Sequence, residues 1–489
     1  MKKKPNIIVF MTDQQNGDTI TSRYPAVIPN IEKFLEDAVI MDDAYCVSPH
    51  CCPSRASFFS GLYPSQHGIW HNVNVDNAIS RGLYDDIILF PEVLKASGYQ
   101  TYFSGKWHVS AYEGPADRGF DEVLNDHVAR YNRFAQENKK RSKDWERAYS
   151  KKERINLDGQ KKGFGHIARE GYPEDYQFGT SENPHGDTDT VEKACEMIRT
   201  YNEEEPFFLY VGTIGPHDPY LPPQKFIDMY KDVEIRLPEN FHDSMLDKPA
   251  LYRRTRDRFD LTEEEHVESI RRYLAFVSYE DSLFGQLLDA VREKGIYEDT
   301  YIIYLTDHGD YMGAHGLWAK GLPCFREAYH ICAAVGGGEI KGQRHADRLV
   351  SMVDFAPTIL EMAGTGLECQ GQSLLPLIKG EEPGDWRQEI CTQTNGNELY
   401  GIQRAVWDKK WKYVFNGFDY DELYDLESDP LEMHNLLHDC EKGQYQDVVK
   451  EYCKKMWRFA RKTKDNCTCP YIMVSLAPYG PGVLLEDEE

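Results

Sequence analysis

The sequence predicts an α/β fold: a large, mostly parallel sheet sandwiched by helices, then a smaller C-terminal α+β domain carrying an antiparallel sheet. Three observations predict it. Short, continuously apolar runs alternate with helix-periodic segments. Several of these runs end in polar clusters, as central parallel strands do when they deliver side chains at their carboxyl ends. After about residue 370 the pattern changes to short strands separated by polar turns.

Residues 6–11 (NIIVFM) read as the first central strand, ending at Thr12-Asp13. Helical spacing over 90–97 stops at Gly98, and a strand over 99–104 ends at Gly105-Lys106. A helix over 191–201 precedes a strand over 206–211. A long helix over 264–294 closes near Gly295, and a strand over 301–305 ends at Thr306-Asp307-His308. Residues 353–363 read as a helix. The stretch 112–190, charged, rich in Gly and Tyr and poorly periodic, reads as a surface insertion. Segments 399–407, 411–416 and 422–425 read as antiparallel strands, and 446–461 as a helix. The expected division is an α/β domain at 1–370 and a sheet-plus-helix subdomain at 371–489.

A 489-residue chain that is 41% hydrophobic can build cores of this size. Its net charge of -25 (56 basic against 81 acidic residues) repels nucleic acid and anionic membranes, so neither is an expected partner. An anionic substrate would need the few cations gathered locally. No apolar run reaches the length of a membrane span. The start, MKKKPNIIVFMTDQQ, imitates a signal peptide, but its apolar stretch is short and no small-residue cleavage site follows. The reading is a cytoplasmic protein, with a periplasmic or secreted protein trimmed of its signal peptide as the alternative. The 12 cysteines show neither a disulfide framework nor paired zinc spacing. An oligomer is compatible with all of this.

One stretch carries chemistry: Cys51-Cys52-Pro53-Ser54-Arg55, with Gly61 six residues beyond the arginine. Pro53 suits the first turn of a helix. Cys51 then sits at or just before the N-terminus, where an anion is favoured and a thiol pKa falls. Those residues alone mark a candidate reactive cysteine, and an inert buried thiol is the commoner fate of a cysteine. The motif C-x-P-S-R…G resembles the signature of the sulfatase family, in its formylglycine-dependent, cysteine-type bacterial form within the alkaline phosphatase superfamily.

Other segments match in the family's order. Thr12-Asp13-Gln14 resembles its first metal-binding element, with Gln14 where a second Asp is usual; an amide oxygen can still bind a hard cation. Gly105-Lys106-Trp107-His108 resembles its G-K-W-H element, and Gly215-Pro216-His217-Asp218-Pro219 its P-H element. Residues 306–310 and 315–321 resemble the second metal element and its following lysine, Lys320, with Asp307-His308 in place of Asp-Asn. Residues 422–436 resemble the C-terminal E-L-Y-D-L…D-P…N-L segment. The resemblance spans nearly the whole chain and implies an alkaline phosphatase-like fold.

It further implies a formylglycine made from Cys51 by a maturation enzyme, with Arg55 holding the modified residue. The implied metal is one divalent ion, Ca²⁺ with Mg²⁺ or Mn²⁺ as alternatives, bound by Asp13, Gln14, the modified Cys51, Asp307 and His308. Lys106, His108, His217 and Lys320 would surround the sulfate. His217 with Lys320 would protonate the leaving alcohol, and His108 would deprotonate an aldehyde hydrate. One hydroxyl of such a hydrate can attack sulfur, and the other can expel sulfate as it collapses. A metal polarises a sulfate oxygen, and nearby cations act as an oxyanion hole does. In an extended segment Lys106 and His108 would point the same way. The implied activity is hydrolysis of a sulfate monoester, with a small sulfated saccharide as substrate. The alternatives are a phosphonate monoester or phosphodiester hydrolase on the same scaffold, and a non-catalytic binder of sulfated glycans if Cys51 stays a thiol. His50, Trp70, His71 and Arg81 lie close to Cys51 in sequence and are candidates to touch the organic group.

Overall fold

The first strand forms as Asn6–Thr12 (β1), buried along its whole length. Ile7, Val9 and Met11 enter one core, and Ile8 and Phe10 another. A strand covered on both faces requires an unbroken apolar run. The computed structural model describes residues 4–21, 23–75, 77–126, 163–167, 175–397, 399–441, 443–468 and 476–487.

The main sheet adds β2 (Ala38–Tyr45), β3 (Gln100–Gly105) and β4 (Glu122–Asp126). A separate ribbon of β5 (His166–Ile167) and β6 (Asp175–Tyr176) follows. The main sheet resumes with β7 (Phe207–Gly212), β8 (Thr300–Thr306), β9 (Ala333–Gly337) and β10 (Arg344–Ser351). The spatial order is β10-β2-β9-β8-β1-β7-β3-β4. Every pairing in it is parallel except those of β9, which runs against both β2 and β8.

Helices cover both faces. Helices α1 (Pro29–Leu35), α2 (Cys51–Ser60), α3 (Phe90–Ala96), α4 (Asp187–Thr200), α5 (Glu263–Lys294) and α6 (Phe355–Met362) divide between the two cores. One core takes apolar faces of α2, α3 and α6; the other takes those of α1, α4 and α5. Thr262 and Glu265 form a capping box at the start of α5, and Gly295 ends it in the left-handed conformation. The second sheet is an antiparallel meander of β11 (Ile390–Gly396), β12 (Tyr400–Trp407), β13 (Trp411–Asn416) and β14 (Glu422–Asp425). Val406, Tyr413, Phe415 and Leu423 pack on α7 (Gln446–Thr463), while Trp407 meets Tyr45 of the main body.

The structure differs from the sequence reading at several strands. Strand β4 lies inside the predicted insertion, yet it joins the main sheet beside β3. Most of the rest of that insertion, residues 127–162 and 168–174, falls outside the described residues. Strands β2, β9, β10 and β11 were not expected. Asp42 and Asp43 interrupt the apolar run of β2, β9 is five residues ending in two glycines, and β10 is an edge strand with Arg, His and Asp along it. Among the described residues no helix is long and apolar enough to cross a membrane.

Helix α1 has no side-chain cap of its own. Asp281, buried on α5, supplies one: its oxygens accept from the Ile31 amide at 2.7 Å and from the Asn30 amide and side chain at 3.3 and 2.7 Å. Asp281→Ala should therefore cost about 1–3 kcal/mol in urea unfolding, and Asp281→Asn, which keeps an acceptor, clearly less.

Candidate active site

Sheet register brings the site together. Strands β1 and β8 are parallel neighbours with Thr12 opposite Thr306, so Asp13 and Asp307 emerge side by side at their carboxyl ends. Strand β7 pairs with β1 through Gly212 and Met11, and with β3 through Gly212 and Gly105. The loops bearing His217 and Lys106 therefore leave the same edge. Gly105 must be glycine: its φ is +107°, and a Cβ there would lie 2.0 Å from the Gly212 carbonyl oxygen.

Cys51 is the first residue of α2, as the position of Pro53 predicts. The helix points its N-terminus at the carboxyl ends of β1 and β8. Ser54 Oγ donates to the Asp307 carbonyl at 2.5 Å. Asn72 Oδ1 accepts from the Cys52 amide at 3.1 Å and caps the helix from outside it. The Asn72 amide in turn donates to Asn397 Oδ1 at 2.9 Å, so the end of β11 supports the cap.

Arg55, fully buried, joins the parts. Its Nε donates to Asp307 Oδ2 at 2.7 Å and its Nη2 to Asp13 Oδ2 at 2.9 Å. Its Nη1 donates to the Tyr210 hydroxyl at 2.8 Å and the Lys106 carbonyl at 3.0 Å. The Lys106 ammonium also bonds Asp13 Oδ2. Burial alone would raise the Asp13 carboxyl, but the charges of Lys106 and Arg55 hold it well below the usual range.

Ligand atoms of Asp13, Cys51, Asp307 and His308 all lie within 4.8 Å of one another, and all four residues are buried. Cys51 Sγ is 3.2 Å from His308 Nε2 and 3.6 Å from Asp13 Oδ1. A hard cation sits about 2.3–2.6 Å from each oxygen ligand, so donors around one ion can be no more than about 5 Å apart. The cluster meets that limit, and two carboxylates with an imidazole suit a divalent ion. His308 Nδ1 is 2.9 Å from the Gly309 carbonyl, which leaves Nε2 turned to the cluster. Burial lowers the His308 pKa, against the pull of Asp307.

Gln14 lies beside this cluster with its side chain turned elsewhere. Its Oε1 accepts from Lys320 Nζ, and its Nε2 donates to Asp310 Oδ2 at 2.6 Å and Asp218 Oδ1 at 3.1 Å. Lys320 Nζ is also 2.6 Å from His217 Nε2, and His217 Nδ1 is 2.7 Å from the Asp218 carbonyl. Burial would lower the Lys320 ammonium, but the charges of Cys51, Asp218 and Asp13 raise it.

His108 Nε2 meets Asn74 Oδ1 at 2.7 Å. The segment is not extended through His108, whose φ is +50°; the two side chains do not simply share a face by alternation. Burial, then Lys106, depresses the His108 pKa. Of the residues near Cys51 in sequence, three are engaged elsewhere. Arg81 bonds the carbonyls of Val73 and Val75, His71 Nδ1 lies 2.8 Å from the Gly396 carbonyl, and Trp70 lies under the Arg404 guanidinium. His50 is buried, and its Nδ1 has no hydrogen-bond partner among the described residues. Sequence reasoning missed Asn72, Asn74 and Tyr210. Only Tyr210 left a trace: a tyrosine within a buried apolar strand needs a partner for its hydroxyl.

Comparison with known proteins agrees with this geometry. A family model described as Sulfatase matches residues 5–365, and one described as N-sulphoglucosamine sulphohydrolase, C-terminal, matches residues 313–462. The choline-sulfatase of Rhizobium meliloti (strain 1021) is 30% identical over 456 residues, covering 88% of this chain and 82% of that protein. A solved protein in complex with its substrate D-glucosamine-2-N,6-O-disulfate superposes with a TM-score of 0.71 at 22% identity, covering 95% of this chain and 99% of the other. The phosphonate monoester hydrolase of Agrobacterium radiobacter superposes with a TM-score of 0.74 at 21% identity, covering 94% and 96%. The first match runs through every loop that feeds the buried cluster, and the chain belongs to the sulfatase family.

Proposed function

We propose that this sulfuric ester hydrolase cleaves the sulfate monoester of a small sulfated saccharide, with residue 51 as formylglycine and a divalent metal beside it. One observation carries the reading: Asp13, Cys51, Asp307 and His308 converge within 4.8 Å at the start of the helix bearing the C-x-P-S-R motif. The substrate class draws support from the saccharide complex of the structural neighbour and from the C-terminal family match.

Asp13, Asp307 and His308 would hold the metal with the side chain of residue 51, and Gln14 would join them by giving up Lys320. When bound, the ion would polarise a sulfate oxygen. A formylglycine would supply a hydrated aldehyde as the nucleophile. The chain's own groups do the rest. Arg55 fixes Asp13 and Asp307 and cannot itself lose a proton. Lys106 and Lys320 bring two cations to a protein of net charge -25, where the sulfate gains negative charge. His217 Nδ1 donates to the Asp218 carbonyl, and Nε2 accepts a hydrogen bond from the Lys320 ammonium. This pair therefore holds a proton at Nε2/Nζ for the leaving alcohol. His108, kept neutral by burial and Lys106, is the base of the site.

The phosphonate reading shares this scaffold. Turnover of an aryl sulfate well above that of an aryl phosphonate monoester favours sulfate, and the reverse ranking overturns it. A panel of sulfated mono- and disaccharides with choline sulfate tests the substrate class, and peptide mass spectrometry over residues 45–60 reads the state of Cys51. Cys51→Ala should abolish turnover while leaving the urea midpoint nearly unchanged. Asp307→Ala should remove bound metal, measured by elemental analysis, and cost about 1–3 kcal/mol because it takes one of two carboxylates from the buried Arg55. Lys320→Ala should lower kcat about 10²–10³-fold, the loss expected of one donor to a developing negative charge.

A further inference from the structure

Beneath the loop that carries His217 lies a carboxyl pair, Asp187 and Glu280, that none of the roles above uses. Both residues are fully buried. Asp187 opens α4, and its two oxygens accept from the amides of Ile214 at 2.9 Å and Gly215 at 2.8 Å. The turn they hold is that of His217, whose own amide donates back to the Ile214 carbonyl at 3.0 Å. Two residues before Asp187, His185 Nε2 lies 3.4 Å from the His217 carbonyl, and its ring stacks on Phe276. Residues 185–187 thus grip the turn at both ends.

Glu280 comes from α5, on the other side. Its carboxyl faces Asp187 and Thr213, and neither of its oxygens has a well-formed hydrogen bond among the described residues. It is pressed on the turn: a Cβ at Gly215 would lie 2.1 Å from Glu280 Oε1. A carboxyl so placed is retained in its neutral form. Burial first, then the Asp187 charge, pushes Glu280 well above the usual range, and burial takes Asp187 to about 7. A buried acid without a well-formed hydrogen bond is costly for stability, and this one lies between Asp187, Thr213 and the His217 turn.

We propose that Asp187 and Glu280 are positioning residues for His217: Asp187 fixes the 214–217 turn through two backbone hydrogen bonds, and Glu280 fills the space behind Gly215 into which the turn would otherwise sink. The inference rests on the assignment of His217 with Lys320 to leaving-group protonation. Displacement of the turn then costs most where the leaving alcohol most needs a proton, so its effect depends on the ester.

The test is steady-state kinetics of the matured, metal-loaded enzyme on 4-nitrophenyl sulfate and on an alkyl or sugar sulfate, with thermal melting as a control. Asp187→Asn should lower kcat for the alkyl ester about tenfold or more, within the roughly 10²-fold expected of a misplaced group. It should lower the nitrophenyl ester far less, with KM nearly unchanged. Glu280→Ala should show the same bias, and Glu280→Gln, which matches the neutral acid in shape, should restore the rate. If Asp187→Asn does not fold, the two Glu280 variants carry the test alone. Equal losses on both esters, or no difference between Glu280→Ala and Glu280→Gln, overturn the proposal. His217→Ala separates the two ideas. If it spares both esters, the acid role itself fails; if it shows the bias while Asp187→Asn does not, the positioning claim alone fails.

Discussion

The buried guanidinium of Arg55 is the interaction on which the site depends. It touches the ends of β1 and β8 through Asp13 and Asp307, the middle of β7 through Tyr210, and the loop after β3 through the Lys106 carbonyl. Four segments distant in sequence therefore share one cation carried by α2. Removing either partner of such a pair costs more than the pair contributes, because a charge is left without compensation in the interior. Lysine cannot replace it: one ammonium cannot present donors in a rigid plane to two carboxylates, a phenol and a carbonyl.

What was legible in the sequence follows from this geometry. A central parallel strand must be apolar on both faces, so β1, β7 and β8 announced themselves; the polar ends of β1 and β8 pointed to Asp13 and Asp307, while His217 came only from the family resemblance. The edges were hidden. Strand β10 needs apolar side chains on only part of its length, β9 is short and glycine-rich, and β2 carries two acidic residues. The motif around Cys51 fixed the helix start because proline restricts where a helix can begin. Gln14 could not be placed from sequence. An amide oxygen binds a cation or an ammonium equally well, and here it faces Lys320.

The supporting polar residues were invisible for a different reason. Asn72, Asn74 and Asp187 act through one or two hydrogen bonds to groups well removed along the chain, and no spacing rule links them to their partners. Their common feature is that each satisfies backbone or ring atoms on a segment that carries a site side chain: Cys51, His108 or His217. The end of β11 takes part as well, through Asn397 and Asn72, so the second sheet bears directly on the start of α2.

The Cys51 side chain is 1% exposed, at the mouth of a helix wedged between two strand ends. Once the sheet is assembled, that sulfur is closed to the catalytic groups of a second protein as long as the fold stays intact. If a maturation enzyme oxidises Cys51, as proposed above, that step would therefore be a race with chain collapse. The share of competent molecules in a preparation would then depend on how quickly the nascent chain folds relative to its modification, and chains that fold too soon would be well-ordered, native-like and silent.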